Sequence, residues 1–117
     1  MNTKIEKDIA IINSDEMIIK DVQSAIEFIM TIKYETNCSK IALNKTAIID
    51  DFFILSSGIA GEILEKFITY KTKFAIYGDF SKYTSKPLKD FIYESNNGKD
   101  IFFVTNEDEA IKMLSKV

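Results

Sequence analysis

The sequence predicts an α/β fold, a single-layer, mostly parallel sheet of four or five strands covered by helices. Apolar runs of strand length and amphipathic runs of helix length alternate about four times along the chain. The runs IALN, FAIY and IFFV are apolar on both faces, which is typical of parallel strands covered on both sides. An antiparallel pair at the N-terminal edge fits the remaining apolar run.

The first elements are a hairpin and a helix. The run TKIE and the β-branched run DIAIIN at 8–13 predict two strands joined by a tight turn at Lys7 and Asp8. From Asp21 onward, apolar residues recur at steps of three and four. This period predicts an amphipathic helix over 21–35, with Asp21 as its N-cap.

A buried strand is predicted at 40–44, and the residues after it form the least regular part of the chain. The segment 45–55 is apolar but has no period. We expect it to be a connector with Phe52 and Phe53 packed inward. A helix over 57–70 then follows, with an inner face made of Ala60, Ile63, Leu64, Phe67 and Ile68.

The next strand, at 73–78, is closed by Gly78. A helix is predicted from residue 86, with Ser85 as its cap and Pro87 in the first turn, where a missing N–H costs nothing. The sequence NNG predicts the end of this helix, with Gly98 in the left-handed conformation.

The last strand is predicted at 100–105, and Asn106 opens the final helix. Three acidic residues lie in the first turn of this helix, where the helix dipole favours anions. Asn106 and Glu109 have the spacing of a capping box. The inner stripe of the helix is Ala110, Ile111, Leu114 and Val117.

Composition favours one domain over 1–117 and excludes several classes of function. The net charge of -3 and the scattered lysines argue against a nucleic-acid-binding protein, which needs a continuous basic face. No apolar run reaches the roughly 20 residues of a membrane helix, and the N-terminal residues lack the pattern of a signal peptide. We therefore expect a cytoplasmic protein.

Missing residue types narrow the chemistry further. The chain has no His, Arg or Trp. Imidazole bases, histidine metal ligands and bidentate guanidinium contacts are therefore excluded. The one cysteine, Cys38, has no partner for a disulfide or a zinc site and is predicted to be partly buried. No cofactor, no metal and no catalytic residue is predicted.

Several phrases of the sequence carry resemblances to two known families. The stretch KIALN…FFILSSGIAGEILEKF resembles the STAS fold of bacterial anti-sigma-factor antagonists, in which a strand, a connector and a Ser-Ser-Gly helix start follow in this order. Residues 8–114 resemble more closely the bacterial family domain of unknown function 4180. This second resemblance lies in FFILSSGIAGEILEKF, FAIYGDFSKYTSKPLKDFIYESNNG and FFVTNEDEA, and it implies no activity.

The STAS resemblance implies a protein-interaction surface around one helix start. The second Ser of the motif accepts phosphate in phospho-regulated STAS proteins, and the matching position here is Ser57. Phosphate at a helix N-terminus is favourable and would repel a docked partner. However, Leu55 stands where the motif has an acid, and a role as a simple N-cap explains Ser57 without further assumptions. The predicted interaction residues are Ser56, Ser57, Gly58 and Glu62.

An alternative site is the loop 78–86, which follows the carboxyl end of a strand, where open α/β sheets bind ligands. Such a loop could hold a small molecule or anion, either as a binding protein or as a small enzyme. Its candidate ligand residues are Asp79, Ser81, Lys82, Tyr83 and Ser85. The other acidic groups, at 50–51 and 107–109, are adjacent in the chain and are poor evidence of a catalytic pair, which requires convergent geometry.

The favoured function is therefore a non-enzymatic, STAS-like regulatory or protein-interaction module. Its partner is a protein that the sequence does not identify. A homodimer through a strand edge or an exposed helix also remains open, because periodicity does not identify a surplus apolar face.

Overall fold

The computed structural model describes residues 1–117 and contains five strands and four helices. Three short 3₁₀ turns, Lys45–Ala47, Asp50–Phe53 and Leu55–Ser57, make up most of the connector after the third strand. The elements in chain order are β1 (Asn2–Glu6), β2 (Ile9–Asn13), α1 (Val22–Thr36), β3 (Lys40–Asn44), α2 (Ile59–Thr69), β4 (Lys73–Tyr77), α3 (Lys86–Asn96), β5 (Ile101–Val104) and α4 (Glu107–Leu114).

The strands form one sheet in the order β1-β2-β3-β4-β5. β1 and β2 pair antiparallel, and every other neighbouring pair is parallel. The hairpin turns at Lys7, which has a φ of 59°. The predicted fold class, including the antiparallel N-terminal edge, is confirmed.

Side chains that alternate along the strands divide the core into two parts. Ile41 and Leu43 of β3 belong to the larger part, which also contains the buried faces of α1, α2 and α3. Ala42, between them, points to the other face, where Ala110 and Leu114 of α4 cover the sheet. Apolar cover on both sides explains why the parallel strands carry so few polar residues.

The predicted ends of α1 and α3 are largely confirmed. Asp21 caps α1 through a capping box with Ser24, and these hydrogen bonds lower the pKa of the Asp21 carboxyl group. Ser85 caps α3 by accepting a hydrogen bond from the Leu88 amide at 3.3 Å. The prediction for Gly98 is wrong, because α3 ends at Asn97 in a right-handed conformation and Gly98 has no positive φ.

Helix α2 begins two residues later than predicted. Its N-cap is Gly58, with a φ of 79°, rather than Ser57. A positive φ suits glycine, which has no Cβ to clash with the backbone. The buried face of α2 is as predicted, except for Ile68, which is 53% exposed.

Helix α4 has the predicted N-cap, Asn106, but Glu109 does not complete the predicted capping box. Asn106 accepts a hydrogen bond from the Glu109 amide at 2.9 Å. The Glu109 carboxylate bonds to the hydroxyl and the amide of Thr105 instead of closing a box with Asn106, and these bonds lower the pKa of Glu109.

The connector and the loop after β4 lie at the same edge of the sheet. β3 and β4 are parallel neighbours, so the segments that leave their carboxyl ends start side by side. Phe52 and Phe53 of the connector are buried, as predicted. Cys38, predicted to be partly buried, is 4% exposed. None of the helices has both the length and the apolarity required to span a membrane.

Candidate functional site

A cleft of about 410 Å³ lies between the connector and the loop that leads into α3. It is open to solvent rather than enclosed. The cleft therefore joins the two segments that the sequence singles out as separate candidates. It is lined by Phe53, Ile54, Leu55, Ser56, Lys82, Tyr83, Thr84, Ser85, Pro87 and Leu88.

Aromatic packing holds the two walls of the cleft together. The rings of Phe53 and Tyr83 are stacked, with centroids 5.0 Å apart and an interplanar angle of 22°. Phe80, in the same loop, packs against Phe53 at 5.9 Å. Aromatic pairs in this geometry add about 0.5–1.5 kcal/mol to the energy of burial. This packing fixes the loop on the connector although neither segment is a regular element.

Lys45 packs against the loop after β4, a contact that sequence reasoning missed. It follows β3 directly, and its Cβ lies 2.8 Å from where a Cβ on Gly78 would be. Glycine is therefore required at residue 78 for the two segments to approach. The Lys45 ammonium lies 5.0 Å from the centroid of the Tyr83 ring, a cation–π distance. The sequence carried no signal for this contact beyond the position of Lys45 after a strand.

The two adjacent serines have different environments, although both are exposed. The Ser57 hydroxyl donates to the Asp51 carbonyl at 2.9 Å and accepts from the Ile59 amide at 3.2 Å. Ser57 thus fastens the connector to the start of α2 although it is not the N-cap. The Ser56 hydroxyl lines the cleft and takes part in none of the side-chain hydrogen bonds.

Several candidate residues of the loop 78–86 already make hydrogen bonds within the protein, as Ser57 does. Asp79 accepts a hydrogen bond from the Ser81 amide at 2.9 Å, so both residues are engaged in the local turn. Hydrogen bonds from Ser81, aided by the charges of Lys45 and Lys82, lower the pKa of the Asp79 carboxyl group. Ser85 already caps α3.

The cleft therefore collects only some of the predicted residues. Ser56, Lys82, Tyr83 and Ser85 line it. Five other candidates are not among its lining residues, namely Ser57, Gly58, Glu62, Asp79 and Ser81. Sequence reasoning missed Phe53, Ile54, Pro87 and Leu88 as site residues, because apolar side chains in a connector or a first helical turn look like ordinary core.

The lining has a distinct charge. It contains one cation, Lys82, and no carboxylate. Lys82 forms none of the four salt bridges of the protein, and its ammonium lies 5.2 Å from the centroid of the Tyr83 ring. The hydroxyls of Ser56 and Thr84 make no side-chain hydrogen bond. The cleft thus offers hydrogen-bond donors together with apolar side chains.

The hydroxyl oxygen of Tyr83 is buried and has no hydrogen-bond partner. Burial raises the pKa of this hydroxyl, and the positive charge of Lys82 opposes the rise. A buried polar atom without a partner is uncommon in native proteins. The unsatisfied hydroxyl thus lies on a residue that lines the cleft.

A second, polar groove of about 350 Å³ lies at the carboxyl ends of β2, β3 and β4. Lys45, Gly78 and Asp79 line it together with Asn44. The Asn44 side chain is already used, because it accepts from the Ser14 amide at 2.8 Å and donates to the Ser14 carbonyl at 2.7 Å. No group of three or more His, Cys, Asp or Glu side chains is arranged to hold a metal ion.

These features define a small α/β domain with an open cleft beside the carboxyl edge of its sheet, between a connector and a loop. The chain belongs to the family described as domain of unknown function 4180, whose model matches residues 4–114. No curated protein and no solved structure matches the chain.

Proposed function

We propose that the protein is a non-enzymatic interaction module that receives an apolar side chain of a partner protein in the cleft between the connector and the segment 82–88, which is the end of a loop and the first turn of α3. The observation that carries this proposal is the exposed apolar lining of the cleft. Ile54 at its rim is 54% exposed, next to the fully packed Phe53. Exposed apolar groups that border a concave surface are typical of interaction sites.

The open shape of the cleft favours a protein partner over a small molecule. Pockets for small ligands usually bury 70–90% or more of the ligand. An open cleft buries one side chain and leaves the rest of the occupant on the surface. The stacking of Phe53 on Tyr83 also supports a cleft that is formed before binding, and a preformed site lowers the entropic cost of association.

Affinity capture with matched variants tests the proposal. Ile54→Glu places a charge at the rim of the cleft, and Ile68→Glu places the same charge at an isoleucine of almost equal exposure, 53%, on α2. Ile68 does not line the cleft. We expect a partner retained from the native cell lysate by the wild type and by Ile68→Glu to be lost with Ile54→Glu.

Circular dichroism and urea unfolding of each variant show that the fold is intact, since surface substitutions usually change stability by less than about 0.5 kcal/mol. If every captured protein binds all three forms equally, the cleft is not the interaction surface and the proposal is wrong.

A second candidate function is the binding of a small anion at the polar groove of the carboxyl edge. It is favoured by Lys45, which lines this groove and forms no salt bridge. The N-terminus of α3 adds little, because Ser85 already bonds to the Leu88 amide and Pro87 has no N–H. Thermal shift with phosphate-containing metabolites tests this candidate, and Lys45→Gln should abolish any stabilisation that they produce.

A further inference from the structure

The cleft selects the chemistry of its occupant through its charge. The protein has 18 acidic residues and a net charge of -3. None of the ten lining residues is acidic, and one of them is Lys82. A lining that contains a lysine and no carboxylate is complementary to a negative group.

The free polar groups of the lining are able to meet such a group. The Lys82 ammonium supplies donors without an ion pair to break. The Ser56 and Thr84 hydroxyls lie in the same lining and each has a proton to donate. All three residues belong to the same lining as the exposed apolar residues Ile54 and Pro87.

We propose that the occupant of the cleft is a segment of a partner protein in which a large apolar side chain lies beside an Asp or Glu. The apolar side chain packs against Ile54 and Pro87, the exposed apolar residues of the lining. The carboxylate binds Lys82, with hydrogen bonds from Ser56 and Thr84. This inference rests on the proposed function, and it adds the sequence character of the partner.

Selection from a library of random short peptides displayed on phage tests the inference. The wild-type protein is immobilised, and binders of Ile54→Glu are removed by counter-selection. We expect the enriched peptides to carry Asp or Glu within two residues of Leu, Ile, Met or Phe. If enriched peptides are neutral or basic beside the apolar residue, the inference is wrong while the proposed function stands.

Synthetic peptides then measure the charge effect. The most enriched peptide is compared with its copy in which the acid is replaced by the corresponding amide. For the wild type we expect the amide copy to bind about two- to fivefold more weakly, the range of an exposed ion pair. Lys82→Gln should remove this difference. Lys89→Gln, a change at an exposed lysine of α3 outside the cleft, should keep it.

The remaining outcomes are also decisive. If Lys82→Gln still distinguishes acid from amide, the carboxylate binds elsewhere and the inference is wrong. If no peptide prefers the wild type over Ile54→Glu, the proposed function fails as well. If, in that case, phenylacetate shifts the amide resonances of Ser56 and Thr84, the occupant is a small carboxylate and not a protein segment.

Discussion

Ser56 and Ser57 are neighbours in the chain and are chemically identical, yet their hydroxyls serve different purposes. Ser57 uses its hydroxyl to bond the Asp51 carbonyl and the Ile59 amide. Ser56 bonds to neither and lines the cleft. The difference shows that residue type alone does not decide the role of a hydroxyl on this surface. A hydroxyl that already makes hydrogen bonds holds the structure together, whereas one without them is available to a binding partner.

The largest effect on stability is expected at Phe53, the buried aromatic residue of the connector that contains both serines. Phe53→Ala removes a ring that is 4% exposed and that stacks on Tyr83. We expect it to lower the free energy of unfolding by about 3–5 kcal/mol, because it leaves a cavity and frees the loop. Urea unfolding measures the loss. Ile54→Ala, at the exposed neighbour, should change stability by less than about 0.5 kcal/mol. A loss at residue 54 as large as at residue 53 would contradict the division into wall and rim.

The serine pair itself gives the next effect. Ser57→Ala removes two hydrogen bonds and should cost about 1 kcal/mol, the usual value for a hydroxyl that bonds a helix start. Ser56→Ala should leave stability within about 0.5 kcal/mol of the wild type. Chemical unfolding of the two variants under one set of conditions makes the comparison. Equal losses would show that the two hydroxyls are not divided between holding and binding.

Ser57→Asp sharpens the comparison further. A carboxylate cannot donate to the Asp51 carbonyl, so we expect a loss of stability like that of Ser57→Ala. We also expect Ser57→Asp and Ser57→Ala to capture the same partners as the wild type. Loss of a partner with Ser57→Asp alone would instead support the phospho-switch that the STAS resemblance implies.

The sequence predicts the elements better than it predicts the site. Period and caps are local signals, so the strands, the helices and the caps at Asp21 and Ser85 can be read directly from neighbouring residues. The cleft depends on contacts between segments distant in the chain, such as the stacking of Phe53 on Tyr83, and no local pattern encodes them. The sequence places the N-cap of α2 at Ser57, one residue before the observed cap, Gly58. The reason is that Ser57 accepts a hydrogen bond from the first amide of the helix, as a capping serine would.

The smallest effect on stability is expected at Asp79, whose carboxylate, like the Ser57 hydroxyl, already makes a hydrogen bond within the protein. Hydrogen bonds from Ser81 lower its pKa below the ordinary value of 3.8, so the folded state holds this carboxylate charged where the unfolded state takes up a proton. Its contribution to stability is therefore complete only well above the unfolded pKa of 3.8 and is lost as the pH falls through the lowered pKa. Asp79→Asn should make stability depend less steeply on pH below 4, as measured by urea unfolding. A slope identical to that of the wild type would place Asp79 with Ser56 among the groups that are free.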